Sequence, residues 1–236
     1  MNKENFYRTE CLIGKENMAK LANSNVAVFG IGGVGSYCVE GLARAGVSKF
    51  VLVDNDTINR SNINRQIHAL EDTVGQFKTL CQKERILKIN KDASVKTYEI
   101  FYLKETMDQV DIKNCDYIVD AMDTISAKIA LIEYAKENGI KIISCMGTGN
   151  KLNNTAFKVA DIYDTKVCPL CKVMRKELKQ RNIENLKVVY SEEEPEQFTK
   201  VIEQNTGRNI PASISFVPSV AGLIICGEVV KDILQK

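Results

Sequence analysis

The sequence predicts an α/β fold in which a doubly wound, mainly parallel sheet carries a smaller C-terminal extension. Three observations support this prediction. Short apolar runs alternate with amphipathic segments of helix length, and a glycine-rich turn follows the first apolar run. All four prolines lie after residue 168, so the character of the chain changes there. Strands and helices that alternate through right-handed crossovers form a parallel sheet with helices on both faces.

Length and composition limit the possible classes of protein. A chain of 236 residues fits one large α/β domain or one domain with an appendage. Its net charge is only +2, so a nucleic-acid signal must be local. The start turns polar at once, and the apolar run 220–225 is soon followed by charges, which predicts neither a signal peptide nor a membrane span. For eight cysteines without a secretory signal we expect reduced thiols and a cytoplasmic location.

The first strand–helix–strand unit follows a predicted helical segment, residues 1–24, which Gly14 interrupts. Val26–Phe29 is an apolar run of strand length, and a helical pattern follows the glycine turn. A second apolar run, Phe50–Val53, completes the unit and ends at Asp54. Such a unit is typical of the mononucleotide-binding half of a Rossmann-like sheet.

The glycine turn reads Gly30-Ile-Gly-Gly-Val-Gly-Ser36. We expect Gly30 to permit the tight turn, Gly32 to let the backbone approach a phosphate, and Gly35 to let the helix pack on the strand. The helix N-terminus then offers free amides to an anion, and Asp54 can accept hydrogen bonds from ribose hydroxyls. The alternative is a turn that serves packing only, but the order of strand, helix and acid favours an adenine nucleotide.

The next elements continue the alternation. Apolar spacing predicts an amphipathic helix after the short helical turns of residues 55–74, and Gly139 marks a helix end. In chain order we predict the helix Gly75–Asn90, strands near Ser94–Phe101 and at Tyr117–Asp120, the helix Thr124–Asn138 and the strand Lys141–Met146.

The last third is interpreted as the smaller extension. The predicted domain boundaries are 1–24, 25–156 and 157–236. An acidic and polar run from 191 to 209 is expected to form a long crossover. The predicted elements are strands at Phe157–Asp161, near Val188–Tyr190 and near Ser213–Val217, and helices from Pro169 to Arg181 and from Pro218 to about Leu234.

Two cations downstream of Asp54, Arg65 and Lys78, favour a triphosphate over a dinucleotide. Positive charges suit the negative charge that grows on the α-phosphate and on departing pyrophosphate. NAD has no such leaving group, so an NAD-dependent oxidoreductase is the weaker alternative. A non-catalytic RNA-binding protein that keeps a nucleotide fold is another alternative.

Three segments together resemble the superfamily of ubiquitin-activating enzymes and their bacterial, ThiF-like relatives, which adenylate carboxylates. They are Gly-x-Gly-Gly-Val-Gly-Ser, Asp-x-Asp, and Asn-x-Asn-Arg-Gln-Ile-His-Ala-Leu at 62–70, the most specific of the three. From Phe6 onward the chain is similar to the family of tRNA threonylcarbamoyladenosine dehydratases. The resemblance implies ATP-dependent dehydration of that tRNA modification through an acyl-adenylate. The alternative within the superfamily adenylates the C-terminus of a ubiquitin-like sulfur carrier.

The resemblance also implies cofactors, partners and residue roles. ATP, Mg²⁺, tRNA, a homodimer and, for some relatives, a cysteine desulfurase system for sulfur transfer are expected. Arg8 is either the residue that reaches the nucleotide of the partner subunit, as the resemblance implies, or an exposed surface cation. The nucleotide residues implied are Gly30, Gly32, Gly33 and Gly35 for phosphates, Asp54 for ribose, Asp56 and Asn62 for the pocket, Arg65 and Lys78 for the triphosphate and transition state, and Asp123 for Mg²⁺.

Other polar residues have structural interpretations. His68 is the single histidine and is expected to be a hydrogen-bonded structural residue on a short helix. Asp120 is interpreted as a cap of its turn. Cys168-Pro-Leu-Cys171 is the one CxxC pair, so a four-ligand zinc site within the chain is not expected. Cys168 is expected to begin the helix, because proline is favoured at the first helical position.

The helix from Pro169 is predicted to be amphipathic, with Leu170, Val173, Met174 and Leu178 on its apolar side. Its basic residues lie almost opposite and are Lys172, Arg175, Lys176 and Lys179. They form either an ordinary solvated surface or a ridge that contacts the phosphates of tRNA.

Overall fold

The computed structural model describes residues 3–196 and 211–235. Within them one sheet contains β1 (Asn25–Phe29), β2 (Lys49–Val53), β3 (Ser94–Tyr98), β4 (Tyr117–Asp120), β5 (Lys141–Cys145), β6 (Phe157–Asp161) and β7 (Lys187–Ser191). The α-helices are α1 (Tyr7–Ile13), α2 (Lys15–Asn23), α3 (Gly35–Ala45), α4 (Lys78–Ile89), α5 (Ile125–Glu137), α6 (Pro169–Gln180) and α7 (Phe216–Leu234). Short 3₁₀ turns lie at Lys3–Phe6, Arg60–Asn62, Glu71–Thr73, Met107–Gln109 and Ile162–Asp164.

The strand order is β3-β2-β1-β4-β5-β7-β6. Neighbouring strands are parallel except β6 and β7, which are antiparallel. This confirms the predicted doubly wound, mainly parallel sheet. The strand order reverses at β1, so the carboxyl ends of β1 and β4 border the crevice in which such sheets bind ligands.

Apolar layers cover both faces of the sheet. Leu42 of α3 and Ile225 of α7 are buried on one face, and Leu131 of α5 and Met174 of α6 on the other. Burial of each such side chain is worth about 1.5–3 kcal/mol. Helix α7 can approach α3 closely because of Gly222, where a Cβ would lie only 2.3 Å from the carbonyl oxygen of residue 34. This approach brings the start of α7 next to the glycine turn.

The strand predicted near Ser213–Val217 is wrong. Residues 211–214 have no regular secondary structure, and α7 begins two residues later. Val217 and Ala221 are both buried, and their spacing extends the buried face of α7 into its first turn. Pro218 is tolerated there because first-turn N–H groups have no partner within the helix.

The other predicted elements are confirmed to within three residues at each end. The two strands of the last third belong to the same sheet as the first half of the chain, since β7 pairs with β5. The domain boundaries at 1–24, 25–156 and 157–236 remain a prediction. Residues 197–209 of the predicted crossover lie outside the described residues.

Candidate functional site

A cavity of about 750 Å³ opens at the carboxyl ends of β1, β2, β4 and β5. It occupies the crevice beside the β1–β4 reversal, where a doubly wound sheet binds ligands. Of the predicted nucleotide residues, the cavity is lined by Gly30, Gly32, Gly33, Asp54, Asp56, Asn62, Arg65, Lys78 and Asp123. The structure therefore brings together groups that are up to ninety-three positions apart in the chain.

The glycine turn lies at the base of the cavity. Gly30 has φ +83°, and a Cβ there would lie 2.6 Å from the carbonyl oxygen of Ala121. A Cβ on Gly35 would lie 1.8 Å from the carbonyl oxygen of Gly30. Gly35 thus acts below the cavity, where it lets α3 start directly behind the turn. A Cβ added to Gly32 would have no other atom closer than 3.9 Å, so the backbone of Gly32 is open toward the cavity.

An acid–base cluster forms the wall beside β2. The Asp54 Oδ2 accepts a hydrogen bond of 2.6 Å from the Ile31 N–H, and its Oδ1 accepts one of 2.9 Å from the Asp56 N–H. Lys78 Nζ donates to Asp56 Oδ2 at 2.6 Å and lies 3.9 Å from Asp54 Oδ1. Burial raises the pKa of Asp54, and the Lys78 charge opposes that shift. The carboxylate is therefore held in place behind a buried ammonium.

The segment after the cluster adds a guanidinium and amides. Arg65 Nη1 donates to the Ser61 carbonyl oxygen at 2.8 Å and to Asn64 Oδ1 at 3.0 Å, which orients the rest of the guanidinium. Asn62 is buried and its Oδ1 caps a 3₁₀ turn. Gln66, which also lines the cavity, is buried, and its Oε1 has no hydrogen-bond partner within the described residues.

The two aspartates after β4 have different environments. Asp120 is fully buried and forms an ion pair of 2.9 Å with Lys128 Nζ. The same Nζ donates a hydrogen bond of 3.1 Å to Ser144 Oγ. Asp123 is exposed and lines the cavity, and its carboxylate accepts from the Thr124 hydroxyl at 3.3 Å. Asp120 thus ties β4 to its neighbours from below, whereas Asp123 is available to a ligand.

His68 lies against the outer side of the glycine turn. Its Nε2 is 2.9 Å from the Ile31 carbonyl oxygen, and because a carbonyl only accepts, Nε2 carries the proton. Burial lowers the pKa of His68 to about 4, so the ring is neutral at neutral pH. These contacts agree with the predicted structural role, but His68 lies in a turn and not on the predicted short helix.

The structure places Arg8 away from the cavity. It is an exposed residue of α1, a helix with no buried residue, and it is not among the residues that line the cavity. Within the described residues, no group of three or more His, Cys, Asp or Glu side chains is arranged to hold a metal ion.

Helix α6 is amphipathic, but its buried face differs from the prediction. The buried residues are Cys171, Met174 and Leu178, whereas Val173 is 41% exposed. Because Cys171, Met174 and Leu178 are spaced by three and then four residues, they form one stripe along the helix, and Val173 lies beside that stripe. Cys168 is the N-cap residue and Pro169 occupies the first turn, as predicted.

The four basic residues of α6 are not equivalent. Lys172, Lys176 and Lys179 are exposed. Arg175 is half-buried, and its Nη1 donates to the Thr165 carbonyl oxygen at 3.0 Å. Three of the four cations are therefore free to meet a partner, while the fourth stabilises the loop before α6.

Sequence reasoning placed none of the residues on the cavity wall that follows β5 in the nucleotide site. Thr148, Gly149, Lys151 and Cys168 all line the cavity. Lys151 is 5% exposed, its Nζ donates to the Glu193 carbonyl oxygen, and burial lowers its pKa. The sequence does contain a signal for this wall, namely the glycine-containing loop directly after β5. The carboxyl ends of parallel strands meet at one edge of the sheet, so this loop had to lie near the glycine turn.

Three comparisons identify similar proteins. The model of the ThiF family matches residues 7–236. The tRNA threonylcarbamoyladenosine dehydratase of Bacillus subtilis (strain 168) is 42% identical over 240 residues, which cover 98% of this chain and 94% of that protein. The protein of that name in Escherichia coli (strain K12) is 36% identical over 177 residues, 75% of this chain and 66% of that protein.

A solved structure is similar over nearly the whole chain. It is the E. coli tRNA N6-threonylcarbamoyladenosine dehydratase in complex with ATP, with a TM-score of 0.89 and 29% identity, covering 99% of this chain and 95% of that chain. Over residues 3–196 and 211–235, the protein has no helix that combines the length and apolarity needed to cross a bilayer.

Proposed function

The chain belongs to the ThiF family, and we propose that it is an ATP-dependent dehydratase of threonylcarbamoyladenosine in tRNA. The observation that carries the proposal is the single cavity onto which the glycine turn, the Asp54–Lys78 cluster and Asp123 all open. The similar B. subtilis protein is named for this activity, and the similar E. coli structure is a complex with ATP.

The reaction to be explained is the activation of a carboxylate. A carboxylate is a poor electrophile because its leaving group would be oxide. When a carboxylate oxygen of the threonylcarbamoyl group attacks the α-phosphorus of ATP, pyrophosphate departs and an acyl-adenylate forms. The leaving group on the carbonyl carbon is then AMP, and the carbonyl becomes reactive.

The wall beside β2 suits the nucleoside and phosphates. Asp54 is held by two backbone N–H groups and lies at a strand end where a carboxylate can accept from ribose hydroxyls. Gly32 leaves space for a phosphate against the backbone. The buried Gln66 Oε1 has no hydrogen-bond partner among the described residues, so it offers an acceptor to a hydroxyl or amino group of the nucleotide, which would satisfy it.

Arg65 and Lys78 supply positive charge where the reaction develops negative charge. Both line the cavity, and both are already oriented by protein acceptors. Oriented charges in a site with little water stabilise a transition state without the cost of reorganisation. In this proposal they stabilise the charge on the α-phosphate and on departing pyrophosphate.

Asp123 fits the role of magnesium ligand. Its carboxylate is exposed to the cavity at the end of β4, and a single carboxylate combined with substrate phosphates is a usual arrangement for Mg²⁺. A bound Mg²⁺ would neutralise phosphate charge there.

The second step needs no nucleophile from the protein. The carbamoyl group of the modification attacks its own activated carbonyl and expels AMP, and the product lacks one water relative to the substrate. Because both groups belong to one side chain, proximity lowers the barrier. The protein has to hold that side chain folded and keep bulk water from the adenylate.

The partners proposed on the family resemblance are tRNA, a second copy of the chain and a cysteine desulfurase system, with a cytoplasmic location. Helix α1 buries none of its residues, and its Leu12 is 82% exposed, which supports a contact with a second copy. Arg8 on the same helix would then reach the nucleotide of the other subunit. The exposed lysines of α6 would contact tRNA phosphates.

The test is incubation of the protein with ATP and tRNA that does or does not carry threonylcarbamoyladenosine. We expect AMP and a tRNA lighter by one water only with modified tRNA. Mass spectrometry of the digested nucleosides measures the loss. AMP formation without any change in tRNA mass, together with adenylation of a ubiquitin-like sulfur carrier, would favour the alternative activity.

A further inference from the structure

Two cysteines lie at the start of α6, where this helix meets the cavity. Cys168 is the N-cap residue of α6, and Cys171 lies in its first turn. Cys168 lines the cavity, whereas Cys171 lies behind it and is 0% exposed. Residues three positions apart in a helical turn are neighbours. A molecule in the cavity can therefore reach the first sulfur but not the second.

The two sulfurs share one proton unequally. The Cys171 thiol and the backbone N–H groups of Cys171, Gly147 and Leu170 are the polar groups that favour a thiolate at Cys168. Their effect, in which Cys171 has the largest share, outweighs burial and lowers the pKa of Cys168 to about 5. The neighbouring Cys168 and burial raise the pKa of Cys171. At neutral pH the outer cysteine is a thiolate and the inner one a thiol.

The charged and titratable groups around this dithiol come from three sides. Lys151, on the loop after β5, faces both sulfurs, and burial lowers its pKa. Arg175 of α6 and Tyr190 of β7 face Cys171. Cys145 at the end of β5 faces Cys168 and shares the cavity with it. The cations on this wall stabilise a thiolate.

A metal role does not fit this pair. Among the described residues, no third His, Cys, Asp or Glu side chain joins the two cysteines to form a ligand group. Structural zinc takes four such ligands.

We propose that Cys168 and Cys171 are a redox-active dithiol, at which a small-molecule disulfide that enters the cavity is exchanged for an intramolecular disulfide. The Cys168 thiolate attacks one sulfur of the small disulfide, forms a mixed disulfide and expels a thiolate. The Cys171 sulfur then attacks the Cys168 sulfur, and its proton passes to the second departing thiolate. The first departing thiolate takes its proton from water. The protein dithiol is thereby oxidised by two electrons, and the small disulfide is reduced to two thiols.

The first experiment measures alkylation of the reduced full-length protein by iodoacetamide at pH 6, 7 and 8, with peptide mapping of each cysteine. Two cysteines of the same chain serve as references. Cys11 is exposed, so its alkylation shows that the reagent reaches an accessible thiol. Cys145 is buried in the same cavity wall, and burial raises its pKa to about 12, so it should stay unlabelled.

Cys168 should be alkylated at a rate that changes less than about twofold from pH 6 to 8, because about 90% of a thiol with a pKa near 5 is already ionised at pH 6. Protection equal to that of Cys145, or a rate that rises about tenfold for each pH unit, as for an ordinary thiol with a pKa of about 8.5, would overturn the proposal.

The second experiment treats the protein with 2-hydroxyethyl disulfide. The wild type should lose two hydrogen atoms in the peptide that contains both cysteines. Cys171→Ser should stop at the mixed disulfide on Cys168, whereas Cys168→Ser should leave residue 171 unmodified. If Cys171→Ser traps no mixed disulfide, or if the wild type forms no internal disulfide, the exchange does not occur. The test uses neither nucleotide nor tRNA, so its result is independent of the proposed function.

Discussion

The two walls of the cavity are held in different ways. Beside β2, Ile31 of the glycine turn is fixed at both backbone groups: its N–H donates to Asp54 and its carbonyl accepts from His68. Lys78 donates to Asp56 on the same wall. Contacts from separate segments thus converge on a single turn, and most of their polar atoms are buried.

The wall after β5 is held by contacts between loops. Lys151 donates to the Glu193 carbonyl oxygen, and the Glu193 carboxylate accepts from the Leu152 and Asn153 N–H groups at 2.7 and 3.0 Å. The Glu193 carboxylate is thus bound by backbone amides and not by Lys151. Among the described residues, no carboxylate lies within hydrogen-bond distance of Lys151 Nζ.

The difference indicates a division of work between the walls. A triphosphate needs charges that are oriented before it arrives, because reorganisation would cost part of the stabilisation. A nucleoside within a folded tRNA has to enter and leave, which loop contacts permit more easily than a network tied to strands. We interpret the β2 wall as the nucleotide side and the β5 wall as the side that receives tRNA.

The largest effect is expected on the β2 wall. Arg65→Ala and Lys78→Ala should each reduce turnover by roughly two to three orders of magnitude, as for loss of one charge that stabilises a transition state. Steady-state AMP formation measures the effect, and thermal unfolding checks the fold. Lys88→Ala, an exposed lysine of the same helix as Lys78, is the control. Near-normal turnover in both variants would refute the assigned roles.

A pH experiment tests how firmly the β2 wall is tied together. The pKa of His68 is about 4 in the folded protein and about 6.5 in an unfolded chain. The unfolded state therefore binds more protons below pH 6.5, and the stabilisation present above that pH is lost as the pH falls to about 4. The expected loss is about 3 kcal/mol.

Urea unfolding of the wild type and of His68→Gln at several pH values measures this contribution. The variant should be less stable at pH 7.5 but should lose less stability on acidification. Parallel losses in both proteins would show that His68 is not held neutral in the folded state.

A smaller effect is expected on the β5 wall. Lys151→Ala should lower turnover about tenfold, the effect of one charge-assisted contact, and should leave ATP affinity unchanged. Lys151→Arg, which keeps the charge, is the matched variant and should retain most of the activity. An ATP affinity that falls as far as in Lys78→Ala would remove the proposed division between the walls.

The smallest effect is expected on the outside of α6. Replacement of all four basic residues, Lys172, Arg175, Lys176 and Lys179, by Gln should lower the log–log salt slope of tRNA binding by about 0.7–0.9 for each lost phosphate contact. Arg175→Gln alone should change the slope little, since Arg175 already bonds Thr165. ATP affinity is the control. Superimposable slopes for the wild type and the quadruple variant would show that this surface is only solvated.

The sequence alone determined the order and type of the elements around the glycine turn. A strand, a turn or an amphipathic helix depends on spacing within a few residues, so Gly30, Asp54 and Lys78 could be assigned to the same nucleotide-binding half without coordinates. The prediction of a strand near Ser213–Val217 was wrong because a short apolar run fits a strand and the first turn of a buried helix equally well. Contact with α3 decides whether this run becomes a strand or the first turn of a helix.

Only the tertiary structure decided which polar groups meet. Asp120 and Asp123 are three residues apart, yet one is buried against Lys128 and the other faces the cavity. Lys151 and Cys168 join the same cavity wall from different loops. Such pairings depend on strand order and on the reversal at β1, which brings the ends of distant strands to one edge. Local spacing carries no information about that order, because the same elements can be arranged in several sheets.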